Sequence, residues 1–212
     1  MPVLRPIDAS GTGIAGPSVF VGLMIGVIMA GVGVSFSADS IGTAVEPDRD
    51  VPSFYVRAVT GPLAGKSVCY VCRNGDRPVV MILLKELSAD ATALLKDLDR
   101  TVDRHRAEGL RCFVVLLSEM PTRDSAHLQT LAFDEKIGLP LTVTTETTLQ
   151  GSSVAMSQES KMSVILYQDR RIVEQFSYQA GTCDRAARAS LIVASENLIH
   201  AANSSSATGG LK

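Results

Sequence analysis

The sequence predicts an α/β domain in which a mixed β-sheet is flanked by helices. Two wholly apolar runs, Val79–Leu84 and residues 112–117, have the composition of strands that are buried on both faces of a sheet. A stretch with helical periodicity joins them, so the two strands are expected to form a parallel pair with a right-handed crossover. A second helix, three more strands and a final helix follow. The predicted order is therefore β-α-β-α-β-β-β-α.

The helix between the two apolar runs has signals for its start, its buried face and its end. Ser88 is a good N-cap residue, and Asp90 is favourable in the first helical turn. Apolar residues then recur at spacings of three and four, as on the inner face of a helix: Ala91, Leu94, Leu95, Leu98 and Val102. Gly109 is predicted as the C′ residue of this helix.

A second helix and a third strand follow the second apolar run. Asp124 or Ser125 is predicted to cap this helix, which is expected to end near Gly138. Leu141–Thr144 is predicted to form a short strand that is more exposed than the first two. The Thr-, Ser- and Gln-rich residues 145–160 are predicted to form a loop.

Two strands and a helix complete the predicted domain. Residues 162–167 and Arg171–Tyr178 are strand-like runs joined by the three polar residues 168–170, which predicts a β-hairpin. The last helix is predicted to open near Thr182 and to run to about His200. Its inner face would carry four small or apolar residues: Ala187, Leu191, Ala194 and Leu198.

The N-terminal residues 1–38 differ from the rest of the chain because they carry only two charged residues, Arg5 and Asp8. Residues 14–34 are uncharged, and small residues are frequent at positions 35–38. A basic residue, an apolar stretch and a small-residue site in this order are typical of a secretory signal peptide. An uncleaved membrane anchor is the alternative, since about 20 apolar residues can cross a bilayer. Both alternatives predict export to a periplasmic or other extracytoplasmic location, with membrane contact only through an uncleaved segment.

The remaining chain divides into a linker, one domain and a tail. Residues 39–52 are polar and acidic and contain proline, as linkers do. Residues 53–200 hold the alternating strands and helices, and roughly 150 residues is a usual length for one domain. The Ser- and Gly-rich residues 201–212 are predicted to form a flexible tail.

The composition argues against nucleic acid as a partner. The 20 Lys and Arg residues nearly balance the 22 Asp and Glu residues, so the formal net charge is −2. Nucleic-acid-binding domains of the basic-stripe kind carry a positive excess instead. The chain has no Trp and only 5% aromatic residues, so a stacking platform for single strands is not expected.

The strongest chemical signal is the pair Cys69 and Cys72. A CxxC pair near a βαβ pattern indicates thiol–disulfide exchange, and the neighbouring cations Lys66, Arg73 and Arg77 would lower a thiol pKa towards the reactive thiolate. A local structural disulfide is a second interpretation, since exported proteins use disulfides as frameworks. Metal ligation is the third, but a zinc site needs two further ligands with suitable spacing. No metal and no cofactor is predicted.

Around this pair the sequence resembles thioredoxin-like, or redoxin-type, proteins, and above all a group of exported bacterial ones. The resemblance covers residues 54–200 and rests on the strand–helix order, on the string GKSVCYVCRNGDRPVV and on the run PLTV. It implies a thioredoxin-like fold and protein thiols or disulfides as substrates. It also implies that Cys69 is the attacking thiolate and Cys72 the resolving one, with Lys66 and Arg73 as electrostatic helpers.

The CxxC pair is displaced from its usual place in that family. In thioredoxins the pair follows the first core strand and opens the next helix, which corresponds here to the stretch around Ser88 and Ala91. That stretch contains no cysteine. The same difference argues against a peroxiredoxin, whose peroxidatic thiol lies in that first helix. A non-enzymatic thioredoxin-like binding or structural module with a local disulfide is therefore the alternative function.

Further expectations concern the surroundings of the cysteines. The pair can bond only within a turn or bulge, since residues three apart on a strand point to opposite faces. Asn74-Gly75 is predicted to form a hairpin-type turn with two positive φ angles, which leads back to the Val79 strand. Cys112 is expected at that same end of the sheet, as a candidate resolving thiol or metal ligand. Cys183 is expected at the opposite end, free, because a six-residue strand spans roughly 20 Å.

Overall fold

The computed structural model of the chain describes residues 49–208, and in this range a single sheet of seven strands is packed with four helices. The elements follow each other as β1 (Val56–Ala58), β2 (Ser67–Val68), α1 (Tyr70–Asn74), β3 (Val79–Leu84), α2 (Ala89–His105), β4 (Arg111–Leu117), α3 (Pro121–Asp134), β5 (Leu141–Thr144), β6 (Met162–Gln168), β7 (Arg171–Tyr178) and α4 (Arg185–Thr208). A 3-10 helix, Glu146–Leu149, follows β5. The predicted signal peptide or anchor over residues 1–38 lies outside the described residues.

The sheet is mixed, and its strand order is β2-β1-β5-β4-β3-β6-β7. Strands β3 and β4 are parallel neighbours in its interior, which confirms the predicted parallel pair. Strand β5 extends the parallel part, whereas β6 and β7 form the predicted antiparallel hairpin. The expectation that β5 is more exposed than β3 and β4 is wrong: the short strand β1 pairs with the outer edge of β5, and the first three residues of β5 are buried.

The two faces of the sheet are covered by different parts of the chain. Alternate residues of a strand point to opposite faces, and both sets in β3 are fully buried. Val80 and its alternates pack in a core with apolar residues of α2, α3 and α4. Val79 and its alternates pack in a second core with α1, the N-terminal residues from Val51 onwards, and the loop that contains Val154. The segment bearing the CxxC pair is therefore one of the layers that cover the second face.

Helix α2 forms as its sequence predicts. Ser88 is the N-cap residue, and its Oγ accepts a hydrogen bond of 3.2 Å from the Ala91 N–H. The predicted apolar face is buried along its whole length. The helix ends at His105, so Gly109 is not its C′ residue; with φ +98° it lies in the following turn instead.

Helices α3 and α4 differ from prediction at their ends. Helix α3 begins at Pro121, before the predicted caps, because proline fits the first helical position. Asp124 lies in its first turn and accepts a hydrogen bond from Ser118 Oγ. Helix α4 begins at Arg185 and continues past His200 to Thr208. None of the helices within residues 49–208 is long and apolar enough to span a membrane.

Candidate functional site

Cys69 and Cys72 form a disulfide, with 5.3 Å between their Cα atoms. Cys69 is the N-cap residue of α1, and its Sγ accepts a hydrogen bond of 3.1 Å from the Cys72 N–H. A helical turn brings residues three apart onto the same side, whereas a strand separates them. The prediction that the pair bonds only within a turn is thereby confirmed.

The short helix α1 is held in place by its apolar residues. Tyr70 and Val71 are buried in the core of the second sheet face. The Tyr70 ring stacks on Phe113 of β4, with 5.2 Å between ring centroids and 15° between planes. Burial raises the pKa of the Tyr70 phenol, while the nearby Arg73 charge opposes that shift. The disulfide segment is thus anchored to the sheet through the aromatic residue between the cysteines.

The turn that joins α1 to β3 has a different geometry from the predicted one. Asn74 is the last residue of α1, and only Gly75, with φ +57°, has a positive φ angle. The predicted hairpin-type turn with two positive φ angles is therefore wrong. Because Tyr70 and its neighbours fold as a helical turn, Gly75 acts as a helix terminator rather than as part of a strand-to-strand turn. The chain still leads from the CxxC segment directly to the start of β3, as predicted.

The two cysteines differ strongly in exposure. Cys69 retains 5% of its accessible surface, whereas Cys72 is exposed. Lys66, in the turn before β2, and Arg73, in the last turn of α1, are exposed as well. Within residues 49–208, neither of these cations forms a salt bridge with a carboxylate. Neither charge is therefore neutralised by a carboxylate within these residues.

Cys112 lies at the expected end of the sheet but on the wrong face. It pairs in register with Val80, and both side chains belong to the core under α2 and α4. Cys69 belongs to the core on the opposite face. Burial raises the pKa of the Cys112 thiol far above its ordinary value. Cys112 therefore cannot serve as a resolving thiol for the pair, and no group of three metal-ligating side chains occurs in the described part of the chain.

Cys183 is a free, buried thiol, as predicted. It is 1% exposed and packs in the core on the α2 side of the sheet. Burial raises the pKa of Cys183 to about 11, and the carboxylate of Asp90 in the first turn of α2 adds to that shift. Its proximity to Asp90 places Cys183 at the end of the sheet opposite α1. It is protonated at neutral pH and takes no part in the Cys69–Cys72 pair.

The place where thioredoxins carry their CxxC is filled by a polar network. Lys85, directly after β3, forms a salt bridge of 2.9 Å with Glu146. Its Nζ also donates a hydrogen bond of 3.0 Å to the Ser157 carbonyl oxygen. Ser88 and Ala91 lie at the start of α2 and contribute a helix cap rather than thiols. The only cysteine pair in the described residues is therefore at the other end of β3.

Tyr70 and Phe113 support the site, and neither is predicted by the sequence to do so. Tyr70 lies between the two cysteines, and Phe113 lies in β4 on the sheet face that α1 covers. Nothing local identifies them as partners, because the contact depends on where α1 lies over the sheet. The signal that could have been used is the apolar character of residues 70–71 within an otherwise polar segment.

Comparison with known proteins relates the chain to others by structure alone. No protein-family model matches the sequence, and no curated protein matches it. A crystal structure from Chlorobium tepidum, proposed to be the thiol:disulfide interchange protein DsbE, has a TM-score of 0.56 at 14% identity, over 75% of this chain and 99% of that one. A secreted disulfide oxidoreductase of Mycobacterium tuberculosis, homologous to Escherichia coli DsbE, has a TM-score of 0.50 at 8% identity, over 67% and 96%.

A third similar structure is a peroxidoxin. BcpB from Mycobacterium tuberculosis has a TM-score of 0.51 at 16% identity, over 73% of this chain and 96% of that one. At these identities the similarity is one of fold. Together with the seven-stranded mixed sheet, the comparisons show that the chain has a thioredoxin-like α/β fold, as the sequence resemblance implied.

Proposed function

We propose that the chain is an exported thioredoxin-like protein that exchanges thiols and disulfides through Cys69 and Cys72. The observation that carries the proposal is a bonded cysteine pair with one exposed member, held at the start of a short helix. Its substrates are protein thiols or disulfides. The fold shared with thiol:disulfide interchange proteins supports this substrate class.

The environment of the pair suits the chemistry of exchange. The thiolate is the reactive form of cysteine, and hydrogen-bond donors and cations lower the pKa of a thiol. The Cys72 N–H already points at Cys69 Sγ. Lys66 and Arg73 lie three residues before Cys69 and one residue after Cys72, respectively. The reduced pair would therefore hold one sulfur as a thiolate more readily than an unperturbed cysteine does.

Export is a proposal that rests on the N-terminal sequence. Residues 1–38 have the order of features of a signal peptide or of a membrane anchor. An oxidising compartment allows the Cys69–Cys72 bond to persist. Expression with a C-terminal tag, followed by fractionation and mass measurement of the mature chain, tests location and cleavage together.

A structural role for the disulfide is the second candidate function, and one observation favours it. Cys69, Tyr70 and Val71 are all buried, so the bond reinforces a segment that covers the second sheet face. In that case the chain is a non-enzymatic binding or structural module. A disulfide that serves only to hold α1 in place needs no exposed cysteine. The exposure of Cys72 therefore favours the exchange function.

The reduction potential of the pair distinguishes the two candidates. A working exchange pair is expected between roughly −120 and −270 mV, and a structural disulfide below about −300 mV. Equilibration of the chain with glutathione buffers, followed by alkylation and mass spectrometry, gives the value. The variant in which Cys69 and Cys72 are both Ser is the control for Cys112 and Cys183. A potential below about −300 mV would favour the structural module.

The two cations can be tested separately from the bond itself. Lys66→Ala and Arg73→Ala are expected to raise the pKa of the more acidic thiol of the reduced pair, because each removes a positive charge that lies close to the pair in sequence. The pH dependence of alkylation measures that pKa. Arg123→Ala, which removes an exposed cation on α3, is the matched control and is expected to leave it unchanged.

A further inference from the structure

We infer that Cys72, and not Cys69, is the sulfur that forms the mixed disulfide with the partner. The inference rests on the proposed exchange function and assigns the two cysteines their separate roles. It reverses the order implied by the family resemblance, in which the first cysteine of the CxxC attacks. Two features of this site support it: the exposure of each cysteine and the hydrogen bond to Cys69.

Accessibility favours Cys72 as the sulfur that a partner reaches. Cys69 is 5% exposed and belongs to the same core as Tyr70 and Val71, whereas Cys72 is exposed. Thiol–disulfide exchange requires direct contact between the attacking and the attacked sulfur, and its rate depends on access. A protein thiol therefore reaches the disulfide at Cys72.

The hydrogen bond to Cys69 stabilises the sulfur that leaves when Cys72 is attacked. When a partner thiolate attacks Cys72, Cys69 departs as a thiolate, and thiols of lower pKa leave faster. Cys69 Sγ already accepts the Cys72 N–H at 3.1 Å, so a donor is in place where the negative charge develops. A thiolate on Cys69 is thereby held by the protein despite its burial. Cys69 is thus suited to leaving and to resolving, and Cys72 to bonding with the partner.

The complete exchange balances in two steps. A partner thiolate attacks Cys72 Sγ, the Cys69–Cys72 bond breaks, and Cys69 receives the electron pair as a thiolate. A second partner thiolate then attacks the partner sulfur of the mixed disulfide and expels Cys72 as a thiolate. Two partner thiols are oxidised to one disulfide, and the protein disulfide is reduced by two electrons. In the reverse direction, the Cys72 thiolate attacks the partner disulfide, and Cys69 then resolves the mixed disulfide.

Single-cysteine variants test the assignment directly. Cys69→Ser leaves the Cys72 thiol, and Cys72→Ser leaves the Cys69 thiol; both are treated with 5,5′-dithiobis(2-nitrobenzoic acid) as a small disulfide probe. We expect the thiol of the Cys69→Ser variant to react at least ~10-fold faster, since the rate depends on access. The variant with both substitutions supplies the background from Cys112 and Cys183. Equal rates, or a faster reaction of the Cys69 thiol, would overturn the inference.

A second experiment uses the chain with its native cysteines. The oxidised protein is mixed with reduced glutathione, quenched with N-ethylmaleimide and digested, and mass spectrometry locates the glutathione. We expect glutathione on Cys72 and N-ethylmaleimide on Cys69; the opposite labelling contradicts the inference. If no glutathione adduct forms and the reduction potential lies in the structural range, the proposed exchange function fails. The probe rates of the single-cysteine variants still decide which sulfur is the more reactive, so the two failures are distinguishable.

Discussion

Reduction of the Cys69–Cys72 bond is expected to lower the free energy of unfolding by about 2 kcal/mol. A disulfide reduces the conformational entropy of the unfolded chain, and its effect grows with the number of residues in the closed loop. The loop here is very small, because the two cysteines are 3 positions apart. The chain-entropy relation for so short a loop gives about 6 cal/mol/K, which is about 2 kcal/mol at 25 °C.

The same free energy links folding to the redox equilibrium of the pair. For a two-electron couple, about 1.4 kcal/mol corresponds to 30 mV. The bond is therefore harder to reduce in the folded chain than in the unfolded chain by about 40 mV. A difference of this size does not lock the pair in the oxidised state. The small loop is thus compatible with exchange, whereas a strongly structural bond would show a larger stabilisation.

The assay compares urea unfolding of the chain with and without a phosphine reductant. Reduction should lower the urea concentration at the midpoint without a large change in the slope m, because only one small loop is opened. The variant with both Cys69 and Cys72 replaced by Ser should not respond to the reductant, since Cys112 and Cys183 are free thiols. A loss above about 4 kcal/mol, or no loss at all, would refute the loop-entropy reasoning.

Three other measurements test single features of the fold. The Tyr70 hydroxyl is buried without a hydrogen-bond partner in the described residues, so Tyr70→Phe, which keeps the ring on Phe113, should raise the free energy of unfolding by about 1 kcal/mol; a clear loss in urea unfolding would contradict this. Ser88→Ala should lower the free energy of unfolding by about 1 kcal/mol because the N-cap hydrogen bond is lost, and Ser88→Thr should retain most of that stability. Burial raises the pKa of Cys183 to about 11, so its contribution to stability is complete below the unfolded pKa of ~8.5. That contribution falls as the pH rises to 11, by at most ~1.4 kcal/mol per pH unit. Cys183→Ala should flatten this alkaline slope in urea midpoints, and an unchanged slope would argue against the buried-thiol explanation.

The sequence predicted well those elements whose own residues specify the element's type and its buried face. The six residues of β3 are all apolar, and such a run is stable as a strand only where both faces are covered. Helix α2 carries its cap at Ser88 and a complete apolar face, so its start and its inner side are local properties. The relation between β3 and β4 follows from the handedness of the crossover between them.

The elements that were missed or displaced depend on contacts with distant residues. Strands β1 and β2 contain three and two residues, too few for a recognisable period. Helix α1 has five residues and is held by Tyr70 on Phe113, a contact that exists only after β4 is in place. Strand β5 is buried because β1 pairs with its edge, and no residue within β5 predicts that pairing.

The sequence by itself determined which chemistry the chain can offer: a CxxC pair beside cations, placed before the first long strand rather than after it. It also determined that Cys183 lies too far from the pair to bond, because strand length and direction set that distance. Only the tertiary structure decided which cysteine is exposed and that Cys112 faces the other core. The reason is that spacing fixes which residues can come together, whereas the packing of α1 on the sheet decides which of the two cysteines remains accessible to a partner.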